Sequence, residues 1–116
     1  MITEDYVSFE TAKLLKEKGF DKKCFTVYNS DGKFYDTRYG IAPSIEITAP
    51  TLQMAMKWLR EKEIFVEVTH TLFSSPHKYQ YSIFRTEPEF YTTGDEYKSY
   101  EEACEKAIEY TLKNLI

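Results

Sequence analysis

The chain has little of what special sites are built from. It has only two cysteines, Cys24 and Cys104, and they lie far apart. Neither sits in the close pairing that zinc sites and redox motifs use, so both are expected reduced, and a disulfide scaffold is excluded. Four glycines and four prolines are too few for a fibrous or low-complexity chain. No apolar run approaches the length of a bilayer span. The opening MITEDYVSFE is acidic and polar, the reverse of an export signal, so the expectation is a cytoplasmic protein without membrane contact. No glycine-rich phosphate cradle occurs. The histidines are two, His70 and His77.

The 42% hydrophobic and 29% charged residues describe one globular domain, spanning 1–116, with a core that needs no disulfide or structural metal. Aromatic residues are abundant at 16%, ten of them tyrosine. Tyrosine joins an apolar ring to a polar tip and so suits a sheet face, a rim or a binding surface. The net charge of −4 is uneven. Residues 1–85 carry 12 lysines and arginines against 11 acids, and residues 86–116 carry 3 against 8. The acidic C-terminal part disfavours nucleic acid as a partner unless a local basic face overrides it.

The most legible stretch is Ala49 to His70. Pro50 suits a first helical position, where its missing N–H has no helical partner to lose. At 100° per residue, Leu52, Ala55, Met56, Trp58 and Leu59 fall on one wide arc with Met54 at its edge, and Gln53, Lys57, Arg60 and Glu61 fill the other side. An arc that wide predicts contact with both a sheet and a second helix, most simply the last one, and a buried Trp58. Past Lys62-Glu63 the period becomes two. Ile64, Val66, Val68 and His70 alternate with Phe65, Glu67 and Thr69, which reads as a strand with one apolar face.

Before this stretch, Met1 to Val7 reads as an extended or frayed lead. A helix follows with Ser8 as N-cap, Glu10 in its first turn, Lys16 and Lys18 in its last, and Gly19 as terminator. Cys24 to Tyr28, the turn Asn29-Ser30-Asp31-Gly32 and Lys33-Phe34-Tyr35 form a hairpin. Residues 36–48 read mostly as loop, with Ile45 and Ile47 in the alternation of a short edge strand. After the central strand come a connection at 73–78 and a returning strand from Tyr79 to Arg85. Pro88 and Gly94 make 86–98 a long loop, with a short strand at Phe90 to Thr92. The last helix opens on the capping box Ser99-Tyr100-Glu101-Glu102 and places Tyr100, Ala103, Cys104, Ala107, Ile108, Thr111 and Leu115 on one face. The order α-β-β-α-β-β-α implies a two-layer α+β fold, with three helices on a mainly antiparallel four-stranded sheet. Lys13-Leu14-Leu15-Lys16-Glu17-Lys18 also aligns with Lys57-Trp58-Leu59-Arg60-Glu61-Lys62, so a doubled α-β-β unit is open.

The words SFETAKLLKEKGFD, APTLQMAMKWLREKE and SYEEACEKAIEYTLKNLI together resemble a group of small uncharacterised proteins of gut bacteria, their prophages and other mobile elements. The resemblance implies an accessory role in bacteria or their phages and brings no catalytic residue or cofactor with it.

Chemistry is sparse. His70 continues an apolar strand face and His77 lies in a solvated turn, and no local spacing joins either to a cysteine. The acid pairs Glu87/Glu89, Asp95/Glu96 and Glu101/Glu102 fall in a loop or at a helix start, where solvation and capping account for them. The expectation is therefore no enzyme, no cofactor and no metal. Two surfaces remain. The aromatic and acidic loop from Glu87 to Tyr97, joined by its neighbours, offers Phe73, Tyr79, Phe90, Tyr91 and Tyr97 to a protein partner. The alternative is a small nucleic-acid-associated protein using Lys13, Lys16, Lys22 and Lys23 on phosphates, with Phe20 and Phe25 nearby. An enzyme whose site is assembled from distant residues is the third possibility. An unpaired sheet edge near Phe34 or Ile45 leaves room for a homodimer.

Overall fold

A computed structural model describes residues 3–71 and 76–116. Three helices run α1 Phe9–Glu17, α2 Leu52–Glu61 and α3 Tyr100–Asn114. Six strands run β1 Thr26–Tyr28, β2 Phe34–Asp36, β3 Ile47–Thr48, β4 Ile64–His70, β5 Tyr79–Thr86 and β6 Glu89–Tyr97. The α+β class expected from the sequence is present, but a single four-stranded sheet is not. The strands form two three-stranded antiparallel sheets, in the orders β2-β1-β3 and β4-β5-β6.

Two segments read as loop account for the difference. Ile47 and Thr48 pair with Tyr28 and Val27, so β1 becomes a central strand and has no edge left for the C-terminal strands. Residues 89–97 form β6, because neither breaker breaks it. Pro88 lies in the turn between β5 and β6, and Gly94 lies at an irregularity in the β5–β6 register, opposite Tyr81. A side chain at Gly94 would collide with the Tyr81 ring. Gly94 C=O also accepts from Gln80 Nε2 at 2.7 Å. The glycine therefore marks a close approach within a strand.

The helix ends follow local chemistry. Ser8 Oγ accepts from Thr11 N–H, Thr51 Oγ1 from Met54 N–H and Ser99 Oγ from Glu102 N–H, at 3.2, 3.1 and 3.0 Å. Thr51, not the residue before Pro50, thus caps α2, and the Pro50 carbonyl accepts from Val7 N–H at 3.0 Å. Asp5 to Val7 of the N-terminal lead are correspondingly fixed. Tyr6 bridges to Thr51, Leu52 N–H donates to Asp5 C=O at 2.9 Å, and Val7 is fully buried. Gly19 ends α1 with φ +91°. Glu63 ends α2 with φ +61°, a left-handed conformation uncommon outside glycine and asparagine.

α3 is the hub. It packs on β4, β5 and β6 and touches both other helices, and α2 packs on β4 as well as α3. The wide arc of α2 thus meets the two neighbours that its width requires. Trp58 is buried, with the Phe20 ring edge-on at 5.4 Å and the Lys62 ammonium 4.5 Å from its centroid. Leu15, Leu59, Ile83, Ile108 and Leu112 are the largest apolar side chains fully buried between these elements. Leu112, rather than Leu115, completes the buried face of α3.

Candidate functional site

Register decides which aromatic side chains are available. In an antiparallel ladder directly opposed residues share a face, so Ile64, Val66 and Val68 point with Arg85, Ile83 and Tyr81 to the side that α3 covers. Tyr79, Phe90 and Tyr97 belong to that covered side. Tyr79 sets its ring edge against His70 and Tyr100, at 5.3 and 6.4 Å. Arg85 lies over the Phe90 ring, 5.6 Å from its centroid, and donates to the Pro88 and Leu115 carbonyls. Tyr97 stacks on Tyr81 at 6.2 Å. All three are half-buried. Phe73 lies outside the described residues.

Of the four candidates among the described residues, Tyr91 alone points the other way. It stands in register with Phe84, and Phe84 with Phe65, so three aromatic rings cross the open face in one row. The Phe65 and Phe84 centroids are 5.9 Å apart. Phe84 is 44% and Tyr91 65% exposed. Around the row the strand positions of this face carry Glu67, Glu89 and Glu96 with threonine, serine and glutamine, and no lysine or arginine. Phe65 and Phe84 escaped sequence reasoning because their alternation identifies a face without telling which side a helix covers.

The two histidines meet. His70 Nε2 and His77 Nδ1 are 2.7 Å apart, so one ring donates and the other accepts. Both are exposed. Among the described residues no group of three or more His, Cys, Asp or Glu side chains is arranged to hold a metal. Neither cysteine has a histidine partner there. Cys24 Sγ donates toward Lys22 C=O at 3.9 Å and Met54 Sδ at 3.4 Å. Cys104 is fully buried on α3, and burial pushes its thiol up to about 11, which keeps it protonated and unreactive at neutral pH.

The basic candidates are divided. Lys13 pairs with Glu10 at 3.1 Å and lies over the Phe9 ring. Lys22 and Lys23 instead line a cavity with Lys57. Arg38 grips Asp36 through two hydrogen bonds, at 3.0 and 2.7 Å, and holds that carboxyl below the usual carboxylate range.

The fold and its surfaces define an α+β domain of two antiparallel three-stranded sheets, with the C-terminal helix packed on β4-β5-β6 and against both other helices. No family model matches the chain, and comparison with curated proteins and with solved structures finds no match either. Among the described residues no helix is long and apolar enough to cross a membrane.

Proposed function

We propose that this is a non-enzymatic accessory protein of a bacterium or its mobile elements, which binds a protein partner through the open face of β4-β5-β6. The observation that carries the reading is the in-register row Phe65, Phe84 and Tyr91 among three carboxylates. Aromatic rings with one exposed face supply contact area at small entropic cost, and they are enriched where proteins meet. Glu67, Glu89 and Glu96 favour a partner segment that is basic and carries apolar anchors, since opposite charge raises on-rate and selects among partners. A second copy presenting the same face would set these carboxylates against each other, so the reading is of a hetero-complex.

Binding to immobilised peptides that combine lysine or arginine with leucine or aromatic anchors tests it. Peptides of this type should bind the native chain and lose about tenfold or more in affinity with Phe84→Ala or Tyr91→Ala, the truncation cost of a central anchor. Glu67→Lys should act mainly on the on-rate and its salt dependence. Equal binding of acidic and basic peptides, or indifference to the aromatic substitutions, would refute the assignment.

A further inference from the structure

Away from the open sheet face, a second surface combines cations with exposed aromatic rings. Lys22 and Lys23, in the segment after α1, and Lys57 on α2 line an open cavity of about 370 Å³ beside Met54 and Trp58. A second cavity of about 250 Å³ shares Lys23 and Met54 with it and continues past Phe25 to Arg38. The shared residues make one trough. At its end Arg38 lies between two rings, 5.6 Å from the centroid of Phe25, which lines the cavity, and 5.5 Å from that of Tyr39, the next residue in the chain. Phe25 is 57% and Tyr39 83% exposed.

The charges are only partly cancelled. Glu61, on the rim, pairs with Lys22 at 3.2 Å, and Asp36 pairs with Arg38 at 2.7 Å. Lys23 and Lys57 form no ion pair among the described residues. The trough thus presents unneutralised ammonium groups at one end and solvent-facing rings at the other, on a molecule whose net charge is negative.

We propose that this trough binds single-stranded nucleic acid. A single strand alternates a phosphate with a flat base, and the trough offers cations followed by rings. Bases can stack on the faces of Phe25 and Tyr39 that Arg38 leaves open, while Lys23 and Lys57 meet the backbone. In a duplex each base already has both faces stacked, so the exposed rings gain nothing from it. An acidic peptide matches the lysines but has no face to lay on the rings. This site is separate from the open face of β4-β5-β6 and does not depend on the function proposed there.

Fluorescence anisotropy with a labelled homopyrimidine strand of about a dozen nucleotides, a matched duplex and a poly-glutamate peptide tests the proposal. The strand should bind at low salt, and log affinity should fall against log salt with a slope of about −1.4, as for two neutralised phosphates. Lys23→Glu with Lys57→Glu should abolish binding. Phe25→Ala and Tyr39→Ala, on exposed rings the fold does not bury, should each weaken it about tenfold. Lys13→Glu with Lys16→Glu, outside the trough, should leave affinity within about twofold. No binding at low salt would overturn the proposal. So would equal affinity for the duplex, full competition by poly-glutamate at matched charge, or equal sensitivity to the Lys13 and Lys16 substitutions.

Discussion

The C-terminal sheet is built from strands of seven, eight and nine residues, the N-terminal sheet from strands of three, three and two. A long ladder covered on one face by an amphipathic helix draws its stability from burial, and its backbone pairs are held as a consequence. A short ladder has few pairs to hold, so side chains must fix it. In the N-terminal sheet Tyr28 Oη donates to Val7 C=O at 2.6 Å, Thr26 Oγ1 to Ala49 C=O at 2.7 Å and Thr37 Oγ1 to Phe25 C=O at 2.7 Å. Asn29 Oδ1 closes the β1–β2 turn by accepting from the Asp31 and Lys33 N–H groups, each at 2.9 Å. Rings of Tyr6, Phe9, Tyr28 and Phe34 pack edge-on or tilted over it. One sheet therefore leaves a broad, regular open face, and the other leaves loops with bare rings.

The largest contrast is expected from truncation. Ile83→Ala removes a fully buried side chain at the centre of β5 and should cost about 2–5 kcal/mol in urea unfolding. Tyr28→Phe removes one hydrogen bond from the other sheet and should cost about 0.5–1.5 kcal/mol. Equal costs would mean that burial and side-chain anchoring do not divide the two sheets in this way.

Glycine substitution sharpens the same point at smaller scale. Gly94→Ala drives a methyl into the Tyr81 ring and should destabilise by about 1–3 kcal/mol. At Gly40, after β2, a Cβ meets nothing within 4 Å, and Gly40→Ala should stay within about 0.5 kcal/mol of the native chain. A thermal melt of each variant separates them.

The smallest effect is nil at neutral pH and grows with alkali. Burial raises the Cys104 thiol from 9.0 to about 11, so its contribution is complete below pH 9 and is lost as pH rises through 11. Burial also raises Tyr28 in one sheet, assisted by Glu105, and Tyr81 and Tyr97 in the other, from 10.0. Their contributions have the same sign and are lost above pH 10. Unfolding free energy measured against pH should begin to fall near pH 9. In Cys104→Ala, which lowers stability throughout, the fall between pH 9 and 10 should be shallower, because of the two thiols raised from 9.0 by burial only Cys24 then remains. A curve unchanged by that substitution would remove Cys104 from the account.

Much of the fold was legible where the signal is local. Ser8, Gly19, Asn29 to Gly32 and Ser99 act on backbone groups within a few residues, and each does what its residue type implies. The arc of α2 predicted its two neighbours because a wide apolar surface must be covered from two directions. β6 was not legible. Pro88 and Gly94 are breakers by type, and only the turn position of one and the Tyr81 ring facing the other make them compatible with a strand.

The candidate surfaces divide along the same line. Tyr91 and Phe90 are neighbours of similar type, yet one faces solvent and the other lies under Arg85, because α3 covers one side of the sheet only. Lys23, Lys57 and Arg38 are far apart in the chain. By itself the sequence determined the helices, the Ser8 and Ser99 caps, the hairpin turn and the α+β class, since these rest on hydrogen bonds and periodicity within short segments. The tertiary structure alone decided that six strands divide into two sheets, which aromatic rings remain bare, and which cations share a trough. Those outcomes depend on pairing between distant segments, and a strand's own residues carry its period without naming its neighbour.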